Sequence, residues 1–413
     1  MKSYYAFTVQ QKRNACIIKL LDNFPSINDI VMKLCGDSMP KQYKRILNKD
    51  NKMREELFKK ADEAEKNHNP QKANKLRTKA NNLLAYRNPN SIAYYQIQAI
   101  RGYIHKCMDP SVSTEKITYR QVCEFVKNFN GYSKKYHHTN IYLVNDSVTN
   151  SMRKLPDCLT LVNANQQNPG GGETRGKTAQ EEFICYVLAT KQLFDALIPV
   201  YGNKPIGEKR IGYKGIGLGN CVGAFNVPVL FDESHDYAVL PAEKQKKIDL
   251  LFNAATNLTL LNSEELIQYK NEIKDFDKFN LFMIFHFAAI HNYRRINIGA
   301  HGCGVFKHDP NWIFKCIKEL LEGPFNGVFE DVVFTLIGNP EKTKNIISCM
   351  NTFGITDFAT IDDDGNIVGK PVILHESDEA KSYVPVMTPN IESFLNHLDD
   401  AYDKNLKAEL GCL

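Results

Sequence analysis

From about residue 141 onward the chain keeps one alternation: short apolar runs, then longer amphipathic stretches. The runs are Cys158 to Ala164, Val227 to Phe231, Ile248 to Ala255, Arg295 to Ala300 and Val332 to Ile337. Such runs are strand-length, and the intervening segments Thr178 to Phe194, Asp277 to Asn292 and Pro310 to Leu321 are long enough to cover one face of a sheet as helices. The pattern predicts an α/β fold, with β-α units on a mixed sheet flanked by helices. The section before it differs in texture. Lys41 to Leu84 is dense in Lys, Ala, Glu, Asn and Leu with few β-branched residues, which is helical material. Asn67-His68-Asn69-Pro70 breaks it, and Pro70 can open a second helix, so a charged helical hairpin is expected. Further helices are expected at Ser91 to Cys107 and Tyr119 to Asn128. Beyond Asn339-Pro340 a hairpin turn at Asp362 to Asn366 and a closing helix from Pro389 to Glu409 are expected. The Asp362 to Gly365 cluster lacks the spaced ligands and distal Glu of a calcium loop. The resulting division is an α-helical N-terminal region over 1–140, a catalytic-size α/β unit over 141–340 and a C-terminal extension over 341–413.

Composition narrows the function classes. At 413 residues, 43% hydrophobic and 24% charged, the chain is globular material with room for a large core. The longest apolar stretch, Phe279 to Ile290, is interrupted by Asn280 and His286 and is too short to cross a bilayer, so no membrane role is expected. From the start Met1-Lys2-Ser3-Tyr4-Tyr5 no ordinary signal peptide is expected. Eleven cysteines lie singly, without a Cys-x-x-Cys pair, which suits a reducing compartment and argues against a zinc site. Cytoplasmic location is the expectation. Lys plus Arg exceed Asp plus Glu by 52 to 47, a mild excess that predicts no nucleic-acid partner. The charged hairpin reads as a solvated helix face.

Two glycine-rich segments carry the chemistry. Leu161-Val162-Asn163-Ala164-Asn165 leads to Gly170-Gly171-Gly172, and after seven residues Gln180-Glu181-Glu182 enters a helix. A strand feeding three glycines and a helix N-terminus exposes backbone amides where the helix dipole favours an anion, and phosphate is the natural guest. A second strand-loop-helix unit runs Ile298-Gly299-Ala300-His301-Gly302-Cys303-Gly304-Val305-Phe306 and then Asp309-Pro310. Open α/β sheets bind ligands at the carboxyl ends of strands, so two such loops facing one crevice could embrace a diphosphate. Neither loop has the Walker ending or the Rossmann spacing, which disfavours ATP hydrolysis and hydride transfer. Glu181 and Glu182, adjacent on a helix, diverge by about 100° and cannot aim at one atom.

The triple glycine, the seven-residue gap and Gln180-Glu181-Glu182 resemble the signature of poly(ADP-ribose) glycohydrolases. Tyr293 to Phe306 resembles the Gly-Ala-Trp-Gly-Cys-Gly-Val-Phe loop of the microbial branch, with His301 where the Trp is usual. The resemblance runs from roughly residue 90 to 340 and implies a macrodomain-like fold binding ADP-ribose in a surface cleft. It implies that Glu182 is the catalytic acid and base, and that Glu181 and Asn165 hold ribose hydroxyls. Gln180 joins the substrate-binding set; Gly170, Gly171, Gly172, Gly302, Cys303, Gly304, Val305 and Phe306 would cradle the diphosphate, with Phe306 against the distal ribose. Cleaving the bond at ribose C1 needs a proton for the leaving oxygen and a base for water, and no metal or cofactor. His301 reads as a packing or hydrogen-bonding residue.

The implied activity is release of ADP-ribose from poly- or mono-ADP-ribosylated acceptors. One alternative is an arginine-specific mono-ADP-ribosyl hydrolase, such as a bacterial effector secreted into a host cell by a non-classical route. Another is a non-catalytic ADP-ribose-binding module. The partners implied are ADP-ribose or an ADP-ribosylated protein. The N-terminal helical region and the C-terminal extension are left to shape the acceptor side of the cleft or to bind a partner protein.

Overall fold

The computed structural model describes residues 41–66, 72–73, 76, 112–155, 157–166, 169–171, 179–188, 193, 197, 218–232, 238–240, 242–377, 383 and 386–411. In chain order the elements are α1 (Lys41–Lys66), β1 (Ser113–Thr118), α2 (Tyr119–Val126), β2 (Thr139–Val144), α3 (Val148–Lys154), β3 (Cys158–Asn163), α4 (Gln180–Val187), β4 (Asn220–Pro228), β5 (Phe231–Asp232), β6 (Ala238–Val239), β7 (Lys247–Asn253), α5 (Ser263–Gln268), α6 (Lys270–Ile290), β8 (Arg295–Ile298), α7 (Pro310–Glu322), β9 (Asp331–Thr335), α8 (Lys344–Phe353), β10 (Thr360–Ile361), β11 (Ile367–Val368), β12 (Val372–Leu374) and α9 (Pro389–Gly411).

Eight strands form one mixed sheet in the order β1-β4-β7-β3-β8-β9-β2-β12. Its middle, β7-β3-β8-β9-β2, is parallel, while β1, β4 and β12 run antiparallel at the two margins. The residues follow this division. β8 and β9 are buried at every position and β3 at all but its last, as parallel strands covered on both faces must be. β1, reading Ser-Thr-Glu-Lys-Ile-Thr, alternates exposed and partly buried residues, as an edge strand should. The chain then turns into α2 through a reciprocal cap: the Gln121 amide donates to the Thr118 hydroxyl, and the Thr118 amide to the Gln121 carboxamide. α6 is buried from Phe279 to Ala289, and a helix apolar on all sides belongs inside a core. α7 opens on Asp309, whose side chain accepts from the Asn311 amide, with Pro310 in the first helical position. Arg295 and Asp331 form a buried ion pair at 2.8 Å across β8 and β9, oriented from both strands.

Several expected elements differ in extent. The strand expected at Val227 to Phe231 is divided, Val227 and Pro228 ending a longer β4 and Phe231 opening β5; β4 bulges between Ala224 and Val227 with Asn226 at φ 58°, and the bulge hides the strand's period. The helix from Thr178 to Phe194 stops at Val187, because Leu188 leaves it to bridge Val229. The helix from Asp277 starts earlier, at Lys270. Strands from both flanks of 141–340 join the sheet, β1 from before it and β12 from after it, and β2 already begins at Thr139. The sheet thus runs past the limits set at 140 and 341, since β1 is largely polar and β12 is too short, at three residues, to show a period. Asp362 to Asn366 is the turn of the β10–β11 hairpin, closed by Asp362, which accepts from the Asn366 amide. α1 and α2 match expected helices; of the helix expected from Pro70 only residues 72–73 and 76 are described, and these are helical, whereas Ser91 to Cys107 lies outside the described residues. No helix among the described residues is long and apolar enough to cross a membrane.

Candidate active site

β3 and β8 are neighbouring parallel strands, so the loops that follow them emerge side by side at the carboxyl edge of the sheet. Their contact is direct. His301 of the second loop lies 2.8 Å through Nδ1 from the Asn163 Oδ1 at the end of β3. A Cβ on Gly299 would stand 3.7 Å from the Asn163 Nδ2 and 4.0 Å from the Gln180 Nε2. Gln180 ties the start of α4 to β3, accepting from the Asn163 amide at 2.7 Å and donating to the Leu161 carbonyl at 2.9 Å. The two bends, distant in sequence, share one edge with the acids between them.

Glu181 and Glu182 are buried, with 3% and 6% of their surface exposed. Glu181 folds back under the first loop. Its two carboxylate oxygens accept from the Asn165 amide at 2.7 Å and the Gly170 amide at 2.9 Å. Glu182, third in the helix, reaches back to the Ala179 amide at 3.1 Å, half of a capping box whose other half Ala cannot supply. The two carboxylates therefore bond different amides, as their angular separation requires. Both nevertheless crowd one glycine. A Cβ on Gly171 would stand 2.5 Å from the Glu182 Oε1 and 2.9 Å from the Glu181 Oε2, and its φ of 58° favours glycine as well. The first loop is thus shaped around the acids. The Gly170 amide, expected to face a phosphate, is donated to the Glu181 carboxylate, which folds back under the loop to within 2.9 Å. Gly172 lies outside the described residues.

The second loop has the opposite character. Among the described residues, the amides of Gly304, Val305 and Phe306 donate to no protein acceptor, and Gly304 has nothing within 4 Å of where its Cβ would be. Val305 is 64% exposed at the rim. The Phe306 carbonyl accepts from the Leu258 amide at 3.2 Å, tying the loop to the turn after β7. Cys303 points inward, its thiol 3.4 Å from the His301 carbonyl and pushed up to about 12 by burial, so it stays protonated. A run of unclaimed amides on a Gly-rich bend has the chemistry to receive an anion.

His301, where the family loop has Trp, is buried and makes hydrogen bonds. Burial holds its imidazole neutral, pushing it down to about 3. With Nδ1 protonated it donates to Asn163, and its Nε2 faces the Asn280 carboxamide at 3.3 Å. Asn280 in turn pairs reciprocally with Asn253 at 2.8 and 2.9 Å. A chain of side chains therefore runs from β7 through α6 and the second loop to β3. Sequence reading did not assign Asn163, Asn253 or Asn280 a role. The signal was present for Asn280, a polar residue interrupting an apolar run. The other interruption, His286, is held neutral by burial, pushed down to about 4, and accepts from the Tyr132 hydroxyl at 2.6 Å on another part of α6. No group of three metal-ligating side chains occurs among the described residues.

A family model for the microbial-type PARG catalytic domain matches residues 89–201, the stretch holding the first loop and the acids. Among curated proteins none matches the sequence. Solved structures similar to this chain include poly(ADP-ribose) glycohydrolase from Thermomonospora curvata, at 21% identity and TM-score 0.46, over 58% of this chain and 85% of that one. The enzyme from Deinococcus radiodurans, solved in complex with ADP-ribose, is similar at 19% identity and TM-score 0.45, over 62% of this chain and 96% of that one. By the sequence match, residues 89–201 are similar to the microbial-type PARG catalytic domain.

Proposed function

We propose that the chain is a glycosidase-type hydrolase that cuts poly(ADP-ribose) at the distal ribose and releases ADP-ribose, on a macrodomain-like sheet. One observation carries the reading: the two glycine loops meet at the carboxyl edge of β3 and β8, with the Glu182 carboxylate against Gly171 between them. The open amides of Gly304, Val305 and Phe306 suit the diphosphate. Glu182, once protonated, donates to the oxygen leaving ribose C1. The bond electrons leave with that oxygen, and the oxocarbenium-like centre is captured by water, whose proton returns to Glu182. Glu181 acts by fixing the loop that faces the ribose, and Asn165, whose amide it holds, comes with that loop. Gln180 positions the end of β3 beneath the substrate.

The substrate is an ADP-ribose polymer or ADP-ribosylated protein. A paired acid set around the loop disfavours a pure ADP-ribose reader, and the family match favours the polymer over arginine-linked single units. The compartment is cytoplasmic, a reading supported by the described cysteines, which are all free thiols. Incubating the full chain with poly(ADP-ribose), beside Glu182→Gln, tests the proposal. ADP-ribose should accumulate only with the unaltered protein. Equal release by both removes Glu182 from the chemistry, and calorimetric ADP-ribose binding without any release by either makes the chain a reader.

A further inference from the structure

His308 lies beneath the second loop and belongs to none of the motifs described above. Its side chain is 1% exposed, and Asp277 of α6, which faces it, is 4% exposed. Nδ1 stands 3.1 Å from the Asp277 Oδ2, and Nε2 stands 2.7 Å from the Thr256 carbonyl oxygen. The Thr256 hydroxyl is also within 2.9 Å of Nε2. Nδ1 therefore faces a carboxylate, which only accepts, and Nε2 lies nearer the Thr256 carbonyl than the Thr256 hydroxyl, the one neighbour able to donate to it. A neutral imidazole would set a lone pair against the carboxylate or 2.7 Å from the carbonyl, whereas an imidazolium donates to both. The ring also sets the loop's shape. A Cβ on Gly302, at φ 72°, would stand 2.7 Å from the His308 Cδ2 and 2.9 Å from the Ala255 Cβ, so loop, imidazole and the turn after β7 are in direct contact. The His308 amide closes the bend onto the Gly302 carbonyl at 3.2 Å, and the Lys307 amide onto that of Gly304 at 3.3 Å.

We propose that His308 is a positioning residue: as an imidazolium bridging Asp277 and Thr256, it holds the Gly302 to Phe306 bend with its amides turned to the ligand. The proposal rests on the ADP-ribose reading for the identity of that ligand. Burial alone would push the imidazole down, but Asp277 and the Thr256 carbonyl outweigh it and hold His308 above the ordinary histidine value. Burial pushes the Asp277 carboxyl up, and the histidine cation opposes that. The other ionisable neighbours are quiet. His301 is neutral, the thiols of Cys303 and of Cys316 on α7 are pushed up by burial, and Asp309 is paired with Lys344 of α8 at 3.7 Å. A group with a raised folded value stabilises fully below its unfolded value and loses that contribution as pH rises through the folded one. The bend should therefore loosen on the alkaline side.

The test uses the full chain, with ADP-ribose as probe. In the unaltered protein the His308 ring, assigned by its absence from His308→Asn, should remain protonated in NMR titration past the ordinary ~6.5. Backbone exchange of the 302–307 segment, corrected for intrinsic rate, should quicken as that proton leaves. His308→Asn should exchange quickly at every pH and bind ADP-ribose between about tenfold and a hundredfold more weakly, without the alkaline fall of the unaltered protein. Asp277→Asn should move both readouts the same way. A ring that deprotonates at or below the ordinary value, or equal loop exchange in both proteins, overturns the clamp. Should His308→Asn not fold, the titration and loop exchange of the unaltered protein decide alone. If ADP-ribose fails to bind the unaltered protein, the functional reading falls, while the titration and exchange still judge the clamp.

Discussion

The two loops of the cleft solve the same problem in opposite ways. The first is held from its own helix: Glu181 takes the amides of Asn165 and Gly170, and the carboxylates close around Gly171. The second is held from beneath by imidazoles, His301 toward β3 and His308 toward α6, and leaves the amides of Gly304, Val305 and Phe306 open. A carboxylate accepts only, so Glu181 takes up the amides of Asn165 and Gly170 in the first loop. An imidazole under the other loop uses side-chain and carbonyl partners and spares them. The first loop is thereby suited to present an acid and the second to receive an anion.

That division of labour breaks most visibly at Glu182. Replacing it with Gln should lower kcat by roughly 10² to 10⁴ while leaving ADP-ribose affinity near its original value, since only proton transfer is removed. Steady-state release together with calorimetry checks this, and a parallel loss of affinity would mean that Glu182 binds rather than reacts. Glu181→Ala comes next. It orphans two amides of the first loop, and with buried N–H groups unpaired the protein should lose on the order of 3 kcal/mol in denaturant unfolding. If the second loop is independent of Glu181, its hydrogen exchange should not change.

Gly171→Ala sharpens the same point with a smaller change. The added methyl meets the Glu182 carboxylate at a positive φ, so about 1–3 kcal/mol of strain is expected, together with reduced turnover as the acid is displaced. A variant with normal turnover would show that the acid has room to spare. The smallest expected effect is that of His301→Phe. It fills the site with an apolar ring but leaves the Asn163 oxygen and the Asn280 carboxamide without their imidazole, worth about 1–2 kcal/mol in thermal or denaturant unfolding. Chemistry should survive. A catalytic collapse in that variant would bring His301 into the reaction.

Much of the site could be read along the chain because it is local there. Gly170-Gly171 and Gln180-Glu181-Glu182 lie within one strand-loop-helix unit, and helix geometry already separates the two acids. The strands Cys158 to Asn163, Lys247 to Asn253, Arg295 to Ile298 and Asp331 to Thr335 announce themselves as short runs rich in apolar residues, since most of their positions are buried. β1 and β12 do not, β1 because it is an edge strand with mostly polar residues and β12 because its three residues are too few to show a period. The fate of the Gly170 amide was also illegible: nothing in a glycine run says whether its N–H meets a ligand or a glutamate eleven residues on.

By itself, then, the sequence determined an α/β sheet with two glycine bends at strand ends and an acid pair entering a helix, because periodicity, glycine freedom and helix geometry act over a few residues. Only the tertiary structure decided which amides stay open and what holds them. Asp277 and His308 are 31 residues apart, and His301 and Asn163 are 138 apart. Such pairs meet only when parallel strands order the sheet and a buried helix passes beneath it, and their charge states follow from burial at His301 and from the remote partners Asp277 and Thr256 at His308.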